Sequence, residues 1–236
     1  MAIKVQNLKK SFTRKGNDTL QVLDGVSFHV SDGEFVTLLG PSGCGKTTLL
    51  KIIAGIERMD EGVLEPMPSQ ANFLPIIWQE HRLFPWRTVL GNVAFPLELR
   101  NAEESFAKTK VLEMLKSVKL EAFADYYPWQ ISSGMAQRAA IARALVTDSK
   151  CVLMDEPFAS VDYQTKQSLF QQLQELRRSQ GLTILYVTHD LRDAIMFSDR
   201  IVVLSAIPTK VREIIQPTSA DLPHSQLEEH LWKLLR

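Results

Sequence analysis

The segment that most constrains the fold of this 236-residue chain is the run Gly40-Pro41-Ser42-Gly43-Cys44-Gly45-Lys46-Thr47. It follows the apolar run Phe35–Leu39, which is typical of a buried strand, and it precedes the helix-forming stretch Thr48–Ala54. The spacing matches the pattern G-x-x-x-x-G-K-[ST], in which a glycine-rich loop joins a strand to a helix. Backbone N–H groups of such a loop curl around phosphate oxygens, and the helix N-terminus favours the same negative charge. The run therefore predicts a phosphate-binding loop.

The side chains of this loop indicate a bound nucleoside triphosphate with magnesium. Lys46 can reach the β- and γ-phosphates, and the Thr47 hydroxyl can bind Mg²⁺. Cys44 lies at the start of the helix, a position that lowers a thiol pKa, so we expect a reactive thiol there. The predicted nucleotide-binding residues of the loop are Gly40, Pro41, Ser42, Gly43, Cys44, Gly45, Lys46, Thr47 and Thr48.

The second signal is a pair of acidic residues at the end of another apolar run, Val152-Leu153-Met154-Asp155-Glu156-Pro157. Open α/β sheets bind ligands at the carboxyl ends of their strands, where these two carboxylates would emerge. Successive side chains of a strand diverge, so Asp155 can hold Mg²⁺ while Glu156 acts as general base toward an attacking water. The alternative is that both merely cap a strand end in solvent.

The N-terminal part of the chain is predicted to form antiparallel strands. The runs Ile3–Leu8, Leu20–Leu23 and Val26–Val30 are β-branched and apolar, and Asp24-Gly25 and Asp32-Gly33 are strong turn signals between strands. A further apolar run at Phe73–Trp78 predicts another strand.

The middle of the chain, Val89–Leu145, changes to a helical period. Two apolar stripes recur at helical spacing, and breakers at Pro128 and at Ser132-Ser133-Gly134 precede a last helix. The residues of the two stripes are Val89, Val93, Leu97, Val111, Leu112 and Leu115.

Alternation of strands and helices resumes after this stretch. Cys151–Met154, Thr183–Thr188 and Ile201–Leu204 are predicted strands; Asp162–Gln180, with a stripe of Leu169, Leu173 and Leu176, is a helix ending at Gly181; and Ser225–Leu235 is a capped terminal helix. The predicted fold is an α/β parallel sheet of the P-loop NTPase (RecA-like) type, with an antiparallel β subdomain and an α-helical insertion subdomain. We expect one domain, 1–236, with a nucleotide-binding core at 1–87 and 150–236 and the insertion at 88–149.

Composition excludes several classes of protein. Hydrophobic residues make up 45% and charged residues 23%, as in ordinary globular domains. The 27 basic residues balance 27 acidic ones, which argues against a surface built mainly for binding nucleic acid or anionic lipid, although a local basic patch is compatible with it. No apolar run is long enough for a membrane helix, and Met1–Lys10 has no signal-peptide core. Cys44 and Cys151 form no disulfide framework or CxxC metal motif, which is typical of a reducing cytosol.

The phosphate-binding loop and the acidic end of the strand fit GTPases and small-molecule kinases as well as ATPases. No N-K-x-D guanine-reading motif is present in the sequence, which makes a GTPase less favoured. The discriminating stretch is Trp129-Gln130-Ile131-Ser132-Ser133-Gly134-Met135-Ala136-Gln137-Arg138, which resembles the signature sequence of ABC-transporter ATP-binding subunits. Its small residues at a helix N-terminus can form a second anion site. Since the P-loop already holds the chain's own nucleotide, that site is best used on a partner subunit's γ-phosphate by Ser132, Ser133, Gly134 and Met135. The alternative is an ordinary serine-capped helix.

The resemblance to ABC cassettes implies further site residues in the family's order. Gln79 matches the Q-loop glutamine, which senses Mg²⁺ and the attacking water, and Asp162 matches the D-loop aspartate at the dimer interface. His189 matches the switch histidine that contacts the γ-phosphate, and Phe12 stands where the family places an aromatic ring against adenine. The implied catalytic residues are Glu156, His189 and Gln79, and the implied metal-binding residues are Thr47, Gln79 and Asp155. Ser133 and Ala159 depart from the family pattern, since glycine is usual at both positions.

The segment Gln79–Val89, with the sequence QEHRLFPWRTV, resembles the importer cassettes for nitrate, sulfonate and taurine. That resemblance implies that Phe84 to Trp86 receive a coupling helix of a membrane permease; the alternative is that these aromatics pack the helical insertion onto the core. It also implies a homodimer binding two ATP and Mg²⁺, peripheral on the cytoplasmic face of the membrane, with a periplasmic or extracellular substrate-binding protein as indirect partner. The sequence is also compatible with an importer of thiamine-precursor-like substrates, a soluble ABC ATPase acting on ribosomes or DNA, a small-molecule kinase, or an inert nucleotide-binding regulator.

Overall fold

The computed structural model describes residues 2–13, 18–67, 74–159, 161–217 and 223–236. The chain forms two compact units, Met1–Leu74 with Thr183–Arg236 and Pro75–Leu182. The strands of the first unit are β1 (Ile3–Thr13), β2 (Thr19–Val30), β3 (Phe35–Leu39), β4 (Glu61–Glu65), β7 (Thr183–Thr188), β8 (Arg200–Leu204) and β9 (Val211–Ile215). Its helices are α1 (Lys46–Ile53), α6 (Leu191–Phe197) and α7 (His224–Leu235). The second unit comprises β5 (Ile76–Ile77), α2 (Val89–Leu99), α3 (Glu104–Ser117), α4 (Ser133–Leu145), β6 (Cys151–Asp155) and α5 (Tyr163–Gln180), with short 3₁₀ turns at Glu121–Phe123 and Pro128–Gln130.

The antiparallel sheet of the first unit has the order β2-β1-β4. The long β1–β2 pair runs from Ile3 opposite Val30 to Thr13 opposite Thr19. The predicted N-terminal strand cluster is confirmed, but the predicted turn at Asp24-Gly25 is wrong, because β2 passes through it without reversing. Pairing moves two residues along β1 and three along β2 at this point, so Asp24-Gly25 is a β-bulge, and Gly25 adopts the positive φ of 75°.

Asp32-Gly33 is a turn, as predicted, and it leads the chain from β2 into β3. The Glu34 N–H donates to the Ser31 carbonyl at 3.1 Å, and Gly33 has a φ of 72°. In the second sheet of this unit the strand order is β7-β3-β8-β9, with β3 parallel to both β7 and β8. Every residue of β3, β7 and β8 is buried, as expected of a parallel sheet covered on both faces.

Helices α6 and α7 cover part of this sheet. An apolar cluster joins them to β3, β8 and β9 through Leu39, Ala194, Ile195, Ile201, Val203, Ile215, Leu227 and Leu231. The sequence did not lead us to predict α6 or β9. The terminal helix is confirmed, but its predicted cap is wrong: α7 follows Pro223, and no side chain in the described part of the chain caps its N-terminus.

In the second unit, β5 and β6 are parallel, with Ile76 opposite Leu153 and Ile77 opposite Met154. The strand predicted over Phe73–Trp78 is limited to Ile76–Ile77, and Phe73 lies outside the described residues. Helix α2 packs against α3 and α4. Five of the six predicted stripe residues of α2 and α3 are buried; Leu112 is wrong, since it is 42% exposed, and Met114 is buried in its place.

Helix α5 agrees with its prediction. Leu169, Leu173 and Leu176 form its buried stripe, Asp162 is its N-cap, and Gly181 ends it in the left-handed conformation. The α/β class is confirmed, while the boundaries predicted for the insertion, 88–149, stay a prediction. None of the helices in the described ranges combines the length and apolarity needed to cross a membrane.

Candidate functional site

The phosphate-binding loop connects β3 to α1 in the first unit. The Lys46 ammonium is buried and donates to the carbonyls of Gly40 at 2.7 Å and Pro41 at 2.9 Å. The Cys44 N–H closes the loop by donating to the Pro41 carbonyl at 3.3 Å. Lys46 therefore lies across the loop and contacts its first two carbonyls.

The N-terminus of α1 fits an anion. Gly45 is the N-cap, none of the side chains that the structure describes caps the helix, and its first turn has no acidic residue. The first N–H groups of a helix have no partner within the helix, so phosphate oxygens can accept from them. Thr47 is exposed at this end, where its hydroxyl can bind a metal ion.

The back of the loop contacts the antiparallel sheet. Gly45 has a φ of 99°, and a Cβ there would lie 2.6 Å from Val22 Cγ1, so both backbone and space require glycine. The buried Thr209 hydroxyl donates to the Cys44 carbonyl, and the Thr209 N–H donates to the Val22 carbonyl at 2.9 Å. These contacts fix the loop's backbone from behind.

The expectation of a reactive Cys44 is wrong. The side chain is 2% exposed, and burial raises the pKa of its thiol although Lys46 nearby acts in the opposite direction. Burial outweighs the helix N-terminus here because the thiol points into the protein rather than out of the loop.

His189 lies at the same edge of the sheet as the loop. It directly follows β7, and Leu39 at the end of β3 pairs with Thr188 at the end of β7. The His189 side chain is exposed, and the next residue, Asp190, caps α6 by accepting from the Arg192 N–H at 2.9 Å. The ends of two neighbouring parallel strands thus bring His189 and Gly40 together.

Phe12 is near the end of β1 and is 37% exposed. The Lys10 ammonium lies over its ring, 4.9 Å from the centroid. Lys10 also forms ion pairs with Glu57 at 3.0 Å and Asp60 at 3.3 Å. The ring is therefore accessible and held from its own strand; its contact with adenine stays a prediction.

Gln79, Asp155 and Glu156 meet at one edge of the second unit. Ile77 of β5 pairs with Met154 of β6, so the residues that follow both strands emerge side by side. Asp155 is buried at the end of β6, Gln79 is exposed, and Glu156 has a φ of 47°, a conformation uncommon for a non-glycine residue. Within this unit, the carboxylate of Asp155 and the amide oxygen of Gln79 are oxygen donors of the kind that Mg²⁺ prefers.

The signature segment forms the start of α4. Ser132 is the N-cap, and its hydroxyl accepts from the Met135 N–H at 3.3 Å. Ser132 and Ser133 are exposed, whereas Gly134 is buried and a Cβ there would lie 2.7 Å from Thr165 Cγ2. The added Cβ of Ser133 thus lies at open surface, and the glycine that packing requires is Gly134.

Thr165, the residue that lies next to Gly134, also binds Asp162. The Asp162 carboxylate accepts from the Thr165 N–H at 3.0 Å, and hydrogen bonds from Thr165 lower the pKa of Asp162. Helix α5 therefore places both Asp162 and Gly134 next to Thr165. The structure brings together the signature and D-loop segments within the second unit.

The predicted permease-docking segment, Gln79–Val89, is only partly packed around its aromatic residues. Phe84 lies 4.7 Å from the Phe95 ring centroid, while Trp86 is 71% exposed and 5.5 Å from Phe84. The alternative in which all these aromatics pack onto the helices does not hold for Trp86.

Two residues that hold this segment were not predicted from the sequence. Asn92 of α2 is fully buried; its Oδ1 accepts from the Phe84 N–H at 2.7 Å, and its Nδ2 donates to the carbonyls of Phe84, Arg87 and Thr88. Arg143 of α4 donates to the carbonyls of Arg82 at 2.8 Å and His81 at 3.0 Å. The available signal for Asn92 was an amide inside an apolar helix stripe.

Comparisons with known proteins agree on one family. The model of the ABC transporter family matches residues 23–159. The chain is 43% identical over 218 residues to an ABC transporter ATP-binding protein of Methanocaldococcus jannaschii, covering 91% of this chain and 81% of that protein. It is 42% identical over 220 residues to the aliphatic sulfonates import ATP-binding protein of Bacillus cereus, covering 92% of this chain and 86% of that protein. It is also 40% identical over 209 residues to the spermidine/putrescine import ATP-binding protein of Photobacterium profundum, covering 86% of this chain and 55% of that protein.

Solved structures agree with these sequence relatives. The dimeric structure of a bacterial ABC transporter cassette superimposes with a TM-score of 0.79 and 31% identity, covering 91% of this chain and 98% of that one. The same cassette in a post-hydrolysis state bound to ADP and Pi gives a TM-score of 0.78 at 31% identity, with the same coverage. The predicted P-loop NTPase fold is confirmed. By its family match, its relatives and its fold, this chain belongs to the ABC transporter family and is an ATPase of the ABC type.

Proposed function

We propose that the chain is the ATP-binding and ATP-hydrolysing subunit of an importer for a small organic or inorganic anion, of the nitrate, sulfonate or taurine kind. The observation that supports this most is the 42% identity with the sulfonate import protein over 92% of the chain. The docking segment with Phe84 and the exposed Trp86 is the same feature that suggested this group from the sequence. The polyamine import relative, at 40% identity, supports a cationic substrate as the second candidate.

Within each chain, we propose the following roles for the side chains of the candidate site. Lys46 binds the β- and γ-phosphates after exchanging its contacts to the Gly40 and Pro41 carbonyls, and the N–H groups of the loop bind the remaining phosphate oxygens. Thr47, Asp155 and Gln79 would hold Mg²⁺, which supplies positive charge to the γ-phosphate. Phe12 stacks on adenine.

Hydrolysis needs a base and a group that orients the attacking water. Glu156 accepts a proton from that water, and its φ of 47° takes its backbone out of the extended conformation of β6. His189, at the end of β7, contacts the γ-phosphate and orients the water. Gln79 reports the state of this centre to the segment that follows it.

We further propose that two copies work as a homodimer with two ATP molecules. Each chain has one P-loop and one signature segment, and the exposed Ser132 and Ser133 suit a partner's γ-phosphate. Asp162 would contact the partner near the same interface. The dimeric cassette with a TM-score of 0.79 supports this arrangement.

The permease would dock on the segment around Trp86, and the subunit would lie on the cytoplasmic face of the membrane. A substrate-binding protein outside the membrane would deliver the anion and act only indirectly on this chain. Closure of the dimer on ATP and its opening after hydrolysis would drive the permease between two states.

The test is reconstitution with a membrane permease and a binding protein, sought among the products of the neighbouring genes. We expect ATP hydrolysis to rise when the binding protein is loaded with an alkanesulfonate, taurine or nitrate, and to stay basal with spermidine or a thiamine-precursor pyrimidine. Stimulation by spermidine alone would replace the anion proposal with the polyamine one. An importer subunit for any of these substrates releases free phosphate from ATP without a phosphorylated product, which distinguishes it from a small-molecule kinase.

A further inference from the structure

We propose that Arg143, on the signature helix α4, is a positioning residue that fixes the loop bearing Gln79. This inference rests on the proposed function, in which Gln79 binds Mg²⁺. Arg143 connects α4, the helix that begins at the signature, to the segment between Gln79 and the permease-docking aromatics.

The Arg143 guanidinium binds the backbone just after Gln79. Its two terminal nitrogens donate to consecutive carbonyls, those of His81 at 3.0 Å and Arg82 at 2.8 Å. Arginine presents such a planar fork with fixed spacing, which a lysine ammonium cannot reproduce. Burial lowers the pKa of Arg143, yet the group stays charged, so both hydrogen bonds are charge-assisted.

The backbone that Arg143 binds is strained. Arg82 adopts a φ of 45°, in the left-handed region that non-glycine residues rarely occupy and that persists only where surrounding contacts hold it. Its own side chain turns back over Trp78, with the guanidinium carbon 4.5 Å from the ring centroid. The loop from Trp78 to Arg82 is thus closed by Arg82 and tied to α4 by Arg143, with Gln79 inside it.

The same guanidinium also contacts an aromatic ring further along the docking segment. Its carbon lies 5.7 Å from the centroid of Phe84, the ring that stacks near the exposed Trp86. Beyond Phe84, Asn92 holds the backbone as far as Thr88. A displacement of Trp86 by a bound partner is therefore passed through Phe84 to Arg143, and from Arg143 to both the Gln79 loop and α4.

The experiment measures how the Mg²⁺ concentration affects ATP hydrolysis by the full chain, with the variants Arg143→Met and Arg143→Lys. We expect the Mg²⁺ concentration for half-maximal hydrolysis to rise roughly tenfold in both, the low end for residues that orient a metal ligand. ATP binding in EDTA should not change, because Arg143 acts through the proposed metal ligand Gln79, whose loop it binds at His81 and Arg82. An unchanged Mg²⁺ response in a folded variant overturns the proposal, and Arg143→Lys, which keeps the charge, protects the test against misfolding of Arg143→Met.

A double-variant cycle shows whether Arg143 acts through Gln79. Gln79→Ala should give a similar Mg²⁺ defect, and Gln79→Ala with Arg143→Met should be no worse than Gln79→Ala alone; additive defects would contradict the proposal. Arg200→Met is the matched control, since the Arg200 guanidinium also donates to a backbone carbonyl, that of His29, and bonds to Glu34 at 2.9 Å; its loss should reduce stability without changing the Mg²⁺ response. If the wild-type chain itself hydrolysed no ATP, the proposed function would fail first, and the two failures are thereby distinguished.

Discussion

At the scale of single residues, the signature segment separates two neighbouring positions that the family pattern treats alike. Ser133 is exposed and can have a side chain, whereas Gly134 is buried against Thr165. Replacing Ser133 with another small residue therefore changes only the surface offered to a partner. Replacing Gly134 changes how α4 packs on α5.

We predict that Gly134→Ala destabilises the protein by about 1–3 kcal/mol, as overpacking does, because its Cβ would lie 2.7 Å from Thr165 Cγ2. Helix propensity alone would favour alanine by about 1 kcal/mol, so a loss can only come from the clash. Urea unfolding measures the effect. Thr165→Ser, which removes that methyl group and keeps the hydroxyl, should rescue Gly134→Ala, and Ser133→Ala should be within about 0.5 kcal/mol of wild type. A Gly134→Ala protein as stable as wild type would disprove the packing argument.

The thiol of Cys44 gives a second prediction at this scale. Because burial raises its pKa, less thiolate forms at neutral pH, and the thiolate is the reactive form. In a Cys151→Ser background, we expect maleimide labelling of the folded protein to be slow at pH 7 and to accelerate as the pH rises toward and beyond the ordinary thiol pKa. Unfolding in urea should abolish the protection. Labelling at pH 7 as fast as that of a free thiol would contradict the burial of this side chain.

At the scale of elements, α2 and the segment before it form one hydrogen-bonded unit through Asn92. This amide makes four hydrogen bonds to the backbone of the docking segment and is fully buried. The exposed position of Trp86 thus depends on a residue inside the helix stripe.

We predict that Asn92→Ala lowers the free energy of unfolding by about 3 kcal/mol, since buried polar groups left without partners cost about 1–3 kcal/mol each. The matched control is Gln171→Ala on the exposed face of α5, where about 0.5 kcal/mol or less is expected. Circular dichroism in urea measures both. Equal effects of the two substitutions would show that the backbone of the segment does not rely on Asn92.

The sequence predicted most elements but not all of their details, for physical reasons that differ. Phe35–Leu39 and Thr183–Thr188 were predicted with their observed bounds because fully buried parallel strands are continuous apolar runs. The bulge at Asp24-Gly25 was mistaken for a turn because a left-handed glycine serves both structures. Helix α6 has only seven residues and β9 is half exposed, so neither gives a clear period.

The candidate site shows the same division. The loop residues, Asp155, Glu156 and His189 follow apolar strands, so local patterns were enough to place them at strand ends. The burial of Cys44 and the contacts of Arg143 depend on residues distant in sequence, which no local pattern reports. A charged residue in the alanine-rich helix α4 gives no sign of which carbonyls it will meet.

At the scale of the whole molecule, the proposed activity belongs to two chains. We predict that Glu156→Gln binds ATP, hydrolyses it far more slowly and accumulates as a dimer with ATP and Mg²⁺, because the amide cannot accept the proton of the attacking water. Size-exclusion chromatography with and without ATP measures the dimer. A Glu156→Gln protein that stayed monomeric with normal turnover would refute the role of Glu156.

The control for that experiment is Lys46→Ala in the same background. Removing the ammonium that lies across the loop should abolish both ATP binding and the ATP-dependent dimer. A dimer that persists in Lys46→Ala with Glu156→Gln would show that association does not depend on the nucleotide.

The link from Thr209 to the back of the phosphate loop has a thermodynamic consequence. Because Thr209 and Val22 already fix the turn around Cys44 and Gly45, capturing a triphosphate requires little further loss of backbone entropy. Because the loop does not have to fold when the nucleotide binds, we expect loop folding to add little to the enthalpy or to the heat-capacity change of binding. Val22, Gly45 and Thr209 also depend on one another, since a Cβ at Gly45 would lie 2.6 Å from Val22 Cγ1 and 3.8 Å from the Thr209 hydroxyl.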